Sequence, residues 1–445
     1  MKLKNLLVPF SILLMSCFVS LHIVAQQKKL NVKLIAVDSG WAANSVNTTV
    51  FRKNSLASHG DTQFIAFYNQ QQYVVLGKRK LGSNKWILKQ TQYKGNTADA
   101  HNVISLAIDG KGYLHLSWDH HNDPIRYCKS VSPGSLELTD KMPMTNQIEQ
   151  LVSYPEFYNL PNGDLLFFFR NGESGQGNLV INYYNSNTGV WKQLQSNLVD
   201  GEGQRNAYWQ ACVDKKGAIH ISWVWRETGD VASNHDLCYA RSLDGGISWE
   251  KSSGEKYTLP ITKATAEYTA VIPQNSELIN QTSMTADESG HPYIATYYRD
   301  SGTMVPQYHV VFFDGKRWVI NNTGFRKTAF SLKGVGTKRI PIARPQILTW
   351  QKNKNLSVAL VFRDEERGSK VSLAICNDLK KGGWQLEDLT QESVGSWEPS
   401  YDTELWKHKK ILNLFVQHTE QIDGEGRADM PPQMVQVLWW NPVNN

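Results

Sequence analysis

"IDGKGYLHLSW", residues 108–118, decides how this chain folds. A Gly-bearing turn leads into a run whose large residues alternate at period two, the spacing of a strand with two different faces. The unit recurs as "VDKKGAIHISW" (213–223), "LPNGDLLFFFR" (160–170) and "ADESGHPYIATYYR" (286–299). Self-similarity of this kind marks a repeat architecture. A tryptophan often closes the unit after a short polar turn: Trp86, Trp191, Trp249, Trp318 and Trp384. "SLDGGISW" (242–249) fits the S-x-D-x-G-x-x-W turn, in which the Asp side chain holds hairpin amides while the Trp packs between sheets. Seven units begin near Ala57, His101, Ser153, Asn206, Asn280, Arg344 and Glu398. Their spacing suits four short strands each, so the reading is an all-β, seven-bladed β-propeller of four-stranded blades. The first strand of each unit is read as the outer one, and "LNVKLIAVD" (30–38) as the segment that seals the ring.

The composition fits that reading and narrows function. Aromatics make up 11% of the 445 residues, with fifteen Trp, which suits both an all-β core and a surface that meets sugars. A formal charge of +6 without a long basic run does not point to nucleic acid, but is compatible with a polyanionic substrate. Lys2 and Lys4 precede an apolar stretch from Leu6 to Phe18, and "IVAQ" offers a cleavage site after Ala25. Residues 1–25 therefore read as a signal peptide and 26–445 as one propeller, exported to the periplasm or secreted. "LMSC" resembles a lipidation box at Cys17, but the apolar "FVSLHIVA" behind it favours simple secretion. No other segment is long and apolar enough to span a bilayer. Four cysteines beyond Cys17 do not make a disulfide scaffold. Cys212, His220, His235 and Cys238 are candidates for a structural zinc site, and no cofactor is required for the chemistry considered next.

"SWDHHND" (117–123) runs from a strand straight into ionisable groups. In a propeller the ends of the inner strands gather at a central channel, where loops form a pocket. His101 precedes one strand of the second unit and His121 follows its partner. Tyr154 begins the third unit and Arg170 ends its return strand. Tyr208 opens the fourth, and Arg226 closes its return strand. These residue types suit β-elimination on a uronic acid. A cation beside the carboxylate eases loss of the C5 proton (Arg170 or Arg226). A base near neutrality is needed (His101 or His121), and so is a proton donor for O4 (Tyr154 or Tyr208). A second constellation lies in the first unit: His59, with Arg52, Asn54 and Gln63 as sugar-binding candidates. His120, His115 and His220 read as architectural. No phosphate-binding loop, dinucleotide fingerprint, H-E-x-x-H or G-x-S-x-G is present.

"GWAANSVNTTVFRKNSL", "DAHNVISLAIDGKGYLHLSWDHH", "SYPEFYNLPNGDLLFFFR", "GEGQRNAYWQACVD" and "NHDLCYARSLDGGISW" together resemble the BNR-repeat seven-bladed propellers of polysaccharide-degrading bacteria. The likeness extends to the glycoside hydrolase family 145 α-L-rhamnosidases, and to the related rhamnose–glucuronate and ulvan lyases. It implies a plant or algal acidic polysaccharide bearing rhamnose–glucuronate as partner, and two sites on opposite faces. On one face it implies His101 and His121 as a histidine pair, Tyr154 as acid/base, Arg170 as carboxylate neutraliser and Tyr208 as a further member. On the other it implies a hydrolytic histidine, matched here to His59. The leading expectation is an exo-acting α-L-rhamnosidase that releases rhamnose α-1,4-linked to glucuronate on arabinogalactan. The alternatives are a lyase acting by β-elimination and a non-catalytic uronate-binding propeller.

Overall fold

A computed structural model describes residues 30–352 and 355–443. The signal-peptide and lipidation readings fall on residues outside this range. Seven antiparallel sheets follow one another along the chain. Their first strands are Leu56–His59, Ile104–Ile108, Val152–Asn159, Asn206–Val213, Ser283–Ala286, Gln346–Lys352 and Ser400–Tyr401. Within each unit the strands meander outward in chain order, and the first strands of neighbouring units pack against one another around the axis. The first strand of a unit is thus innermost, and the expectation that it is outermost is corrected. Burial follows the order: every residue of Ile104–Ile108 is buried, whereas the fourth strand of blade one, Ile87–Lys94, is largely exposed.

The ring closes between chain ends. Val32–Gly40 pairs antiparallel with Gln433–Trp440, Val32 opposite Trp440, and so completes blade seven from outside. On the inside, Ser55 and Ser400 hydroxyls meet at 2.6 Å, joining blades one and seven. Closure packs the apolar faces of blades seven and one against each other and leaves only short blade edges.

The repeated motif has one structural cause. Asp109 Oδ1 accepts the amides of Lys111 and Tyr113, while its Oδ2 faces His115 Nε2 at 3.2 Å. His115 Nδ1 in turn meets Tyr127 Oη at 2.7 Å. In blade four Asp214 holds Lys216 and Ala218, and His220 meets Tyr239 at 2.7 Å. One Asp closes the turn and a buried His carries it to the third strand, so both histidines are architectural as expected. The S-x-D-x-G-x-x-W turn also forms: Asp244 accepts the Ile247 and Ser248 amides, and Trp249 is fully buried between sheets. Trp249→Ala should cost about 3–5 kcal/mol of stability, read as a lowered denaturant midpoint.

Blade two departs from the four-strand rule, and the departure shapes the site. It has three strands, with only an isolated bridge between Ser130 and Leu138 after the third. The His121–Asp123 segment, between its second and third strands, pairs instead with Val152 and Ser153 on the inner strand of blade three. Left-handed backbone at Asp119 (φ 63°) and Asn122 (φ 69°) turns the chain across the gap. His121 is thereby fixed opposite Ser153, one residue from Tyr154.

Among the described residues no helix is long and apolar enough to cross a membrane. The only α-helix among them, Thr403–Lys409, packs on the inner strand of blade one at the face where inner strands end. That is the back face below; inner strands begin at the front.

Candidate active site

The front face gathers the residues that the sequence scatters. His101 and His121 stack with ring centroids 4.0 Å apart, and Phe51 stacks on the other side of His101 at 5.0 Å. Tyr154 lies 5.9 Å from His101 and 6.1 Å from Tyr208, again between centroids. The Arg170 guanidinium sits 4.9 Å over Tyr154, and that of Arg226 sits 5.4 Å over Tyr208. Six of the expected residues thus form one cluster.

Local backbone features aim these groups. Tyr154 takes a left-handed conformation (φ 57°) inside a bulge where the pairing register slips between Ser153 and Glu156. Such a bulge redirects a side chain, and here it turns Tyr154 toward the histidines. Arg170 is 2% exposed; its Nε donates to Gly172 O and its Nη2 to Ser153 Oγ. Its Nη1 is buried without a partner. An oriented guanidinium with one open edge suits a carboxylate.

Asp99 organises the imidazoles. His101 Nδ1 meets its Oδ1 at 2.7 Å and His121 Nδ1 its Oδ2 at 2.5 Å. A carboxylate only accepts, so in the neutral rings both Nδ1 atoms carry the proton and both Nε2 atoms keep a lone pair. Burial would raise the Asp99 carboxyl, but the two imidazole hydrogen bonds hold it far below the usual range. Burial lowers His101 despite Asp99, which keeps that ring neutral at pH 7. Asp99, His101 and His121 are also the one set among the described residues whose ligand atoms could hold a metal ion.

The two tyrosines are driven apart. Burial, and then the neighbouring Tyr208, hold the Tyr154 phenol well above its ordinary value. Burial acts on Tyr208 in the same direction, but Arg226 and then Arg170 outweigh it and bring this phenol down to about 8. Ser174 Oγ at 3.2 Å and Asn206 Nδ2 at 3.5 Å also meet the Tyr208 oxygen. One phenol stays a proton donor while the other ionises near neutrality, the separation that acid/base chemistry uses.

Asp99 went unnoticed in the sequence although "DAH" carries the signal, an acid two residues before the histidine. Phe51 and Glu425 went unnoticed for lack of one: Glu425 comes from blade seven, yet its Oε1 lies 3.5 Å from His101 Nδ1.

The first-unit candidates do not form a comparable site. Arg52 is fully buried and donates to the carbonyls of Ile104, Asn47 and Ala66, which leaves it nothing to offer a sugar. Gln63 is fully buried between Asp402 and Arg79. Asn54 is bonded to the Phe157 backbone on both sides of its amide, joining blades one and three. His59 is exposed at the hairpin end of the inner strand, on the back face. A back-face cavity of about 110 Å³ is lined by Lys53, Asn54, Tyr158, Trp406 and Lys407 among others, but not by His59. The substrate-binding readings of Arg52, Asn54 and Gln63 are therefore corrected to structural ones.

The proposed zinc quartet is not brought together either. His220 pairs with Cys212 at one end of the blade-four sheet, while His235 lies opposite Trp225 at the other. His235 is held by Asp236 and Glu227, and Cys238 is buried in the core.

A family model described as "BNR repeat-containing family member" matches residues 62–325. The ulvan lyase of Alteromonas sp. (strain LOR) is 25% identical over 295 residues, 58% of this chain and 59% of the relative. That of Nonlabens ulvanivorans is 21% identical over 299 residues, 58% of this chain and 61% of the relative. The chain thus spans about six tenths of the length of these curated relatives. Among solved structures, the polysaccharide lyase Uly1 superposes with a TM-score of 0.66 at 16% identity, covering 93% of this chain and 99% of that one. A PL25 ulvan lyase bound to -[GlcA(1-4)Rha3S]- gives 0.61 at 14% identity, covering 88% and 94%. These likenesses support the fold, and the relatives' names point to polysaccharide lyases.

Proposed function

The chain belongs to the BNR repeat-containing family, and from that premise we propose that it is a polysaccharide lyase cutting a rhamnose–glucuronate polysaccharide of the ulvan type by β-elimination. The observation that carries the reading is the buried Arg170, with its unpaired Nη1, set against two tyrosines of opposed acidity. Arg170 binds the uronate carboxylate, with Arg226 alongside. The Tyr208 phenolate takes the C5 proton. The electron pair forms the C4–C5 double bond as the C4–O4 bond breaks, and Tyr154 gives its proton to the departing oxygen. His101 and His121 present Nε2 lone pairs to the sugar hydroxyls. The ulvan lyase relatives support this chemistry over the hydrolytic expectation.

No observation favours the rhamnosidase reading, because His59 stands at a hairpin rim outside the back-face cavity. His59→Gln should leave product formation unchanged, within about twofold, as expected of a surface position. Incubation with ulvan and, separately, gum arabic tests the proposal. The expected product absorbs in the ultraviolet as a C4–C5 unsaturated uronate and weighs one water less than a hydrolysis product. Saturated products, or none from either polymer, overturn it.

A further inference from the structure

A second cavity, of about 310 Å³, opens on the back face between blades seven and one. One wall is a row across blade seven: Lys33 pairs with Trp439, and Trp439 with Asn413, on adjacent antiparallel strands. Directly opposed residues project to the same face of a sheet, so ammonium, indole and amide stand side by side. Lys33 Nζ lies 5.2 Å over the Trp439 ring. Arg79 from blade one forms the facing wall, and Lys409 of the short helix the rim. No carboxylate lines the cavity among the described residues.

Asn413 indicates what is missing. It is fully buried, its Oδ1 accepts from Arg79 Nη2 at 2.8 Å, and its Nδ2 has no partner. The amide cannot be turned over, because a guanidinium has nothing to accept with. The remaining Arg79 bonds go to Gln63 and the Ser83 carbonyl, both neutral, and Asp402, which Gln63 also bonds, acts on its charge without a direct bond. A buried donor without a partner is rare in folded proteins and calls for a ligand or water. The cavity therefore offers cations, one orphaned N–H and an aromatic face, and no acceptor of negative sign.

We propose that this cleft is a second glycan-binding site, taking a sugar unit that carries an oxyanion, either a carboxylate or a sulfate ester. The sugar ring packs on Trp439 and the oxyanion meets Lys33, Lys409 and Asn413 Nδ2. The site lies across the propeller from the candidate active site, and its occupancy does not depend on elimination occurring there.

Affinity electrophoresis of the protein in gels cast with alginate (carboxylate only), carrageenan (sulfate only) or dextran (neutral) tests it. Retardation is expected in at least one acidic gel and absent in dextran; which acidic gel retards identifies the oxyanion. Lys33→Glu/Lys409→Glu should weaken apparent affinity by about tenfold or more. Lys316→Glu/Lys380→Glu, an equal charge change at exposed sites elsewhere, should not. Asn413→Asp should match the first pair; should it not fold, Lys33→Glu/Lys409→Glu decides alone. Turnover of short soluble oligosaccharides should survive Lys33→Glu/Lys409→Glu, whereas Arg170→Ala should stop turnover and keep the retardation. No retardation in either acidic gel, or equal retardation of both lysine pairs, overturns the second site whatever becomes of the lyase reading.

Discussion

Arg170→Ala should lower turnover of a rhamnose–glucuronate polymer by about two to three orders of magnitude, the usual cost of removing a group that stabilises developing charge in a closed site. The C5 proton of a uronate is weakly acidic until its carboxylate is paired, because the intermediate places a second negative charge on that group. Arg170 is built for the pairing: Gly172 O and Ser153 Oγ hold two of its nitrogens, and Nη1 remains open. Arg170→Lys should recover little, since an ammonium cannot keep both anchors while presenting a third donor. The loss should fall on kcat more than on KM, and circular dichroism should show the propeller intact. Full turnover by Arg170→Ala would remove the carboxylate-neutralising role assigned here.

Tyr208→Phe should cost about two to four orders of magnitude, the range for a lost acid–base group. The wild-type pH profile gives the finer test. Tyr208 acts only when ionised, and the two guanidiniums bring its phenol down to about 8. Below that value kcat/KM should rise about tenfold per pH unit, then level off above it. Tyr154, held higher by burial, keeps its proton through the same range and imposes no fall near neutrality. Arg226→Ala removes the larger of the two cationic influences, so the midpoint should move upward toward an ordinary phenol. A midpoint that stays in place would assign the titration to another group.

Opposed tyrosines explain how one face can hold an acid and a base with little difference in residue type. Both phenols are nearly fully buried. The same two guanidiniums reach both, but burial and the Tyr208 phenol outweigh them at Tyr154. At Tyr208 they outweigh burial, with Arg226, at the end of the second strand of the same blade, the larger of the two. Strand pairing sets this, since Asn206 lies opposite Arg226 and Tyr208 follows two residues along on the same face.

The amino-acid sequence by itself determined the ring. Alternation at period two, Asp-bearing turns and a closing Trp are local signals, and each blade is a local meander, so seven repeats imply seven sheets. The same locality made His101, His121, Tyr154, Arg170, Tyr208 and Arg226 legible as candidates, because strand ends in a propeller can converge on only two faces. Tertiary structure decided the rest. That Asp99 clamps both imidazoles, that blade two lends His121–Asp123 to blade three, and that Glu425 reaches His101 all depend on contacts between units. Burial was equally hidden: Arg52 and Gln63 look like sugar ligands in a polar segment, yet the closing ring engulfs them and turns their donors onto the protein itself. Period and turn chemistry act over a few residues, whereas desolvation and charge pairing depend on what the distant chain brings alongside.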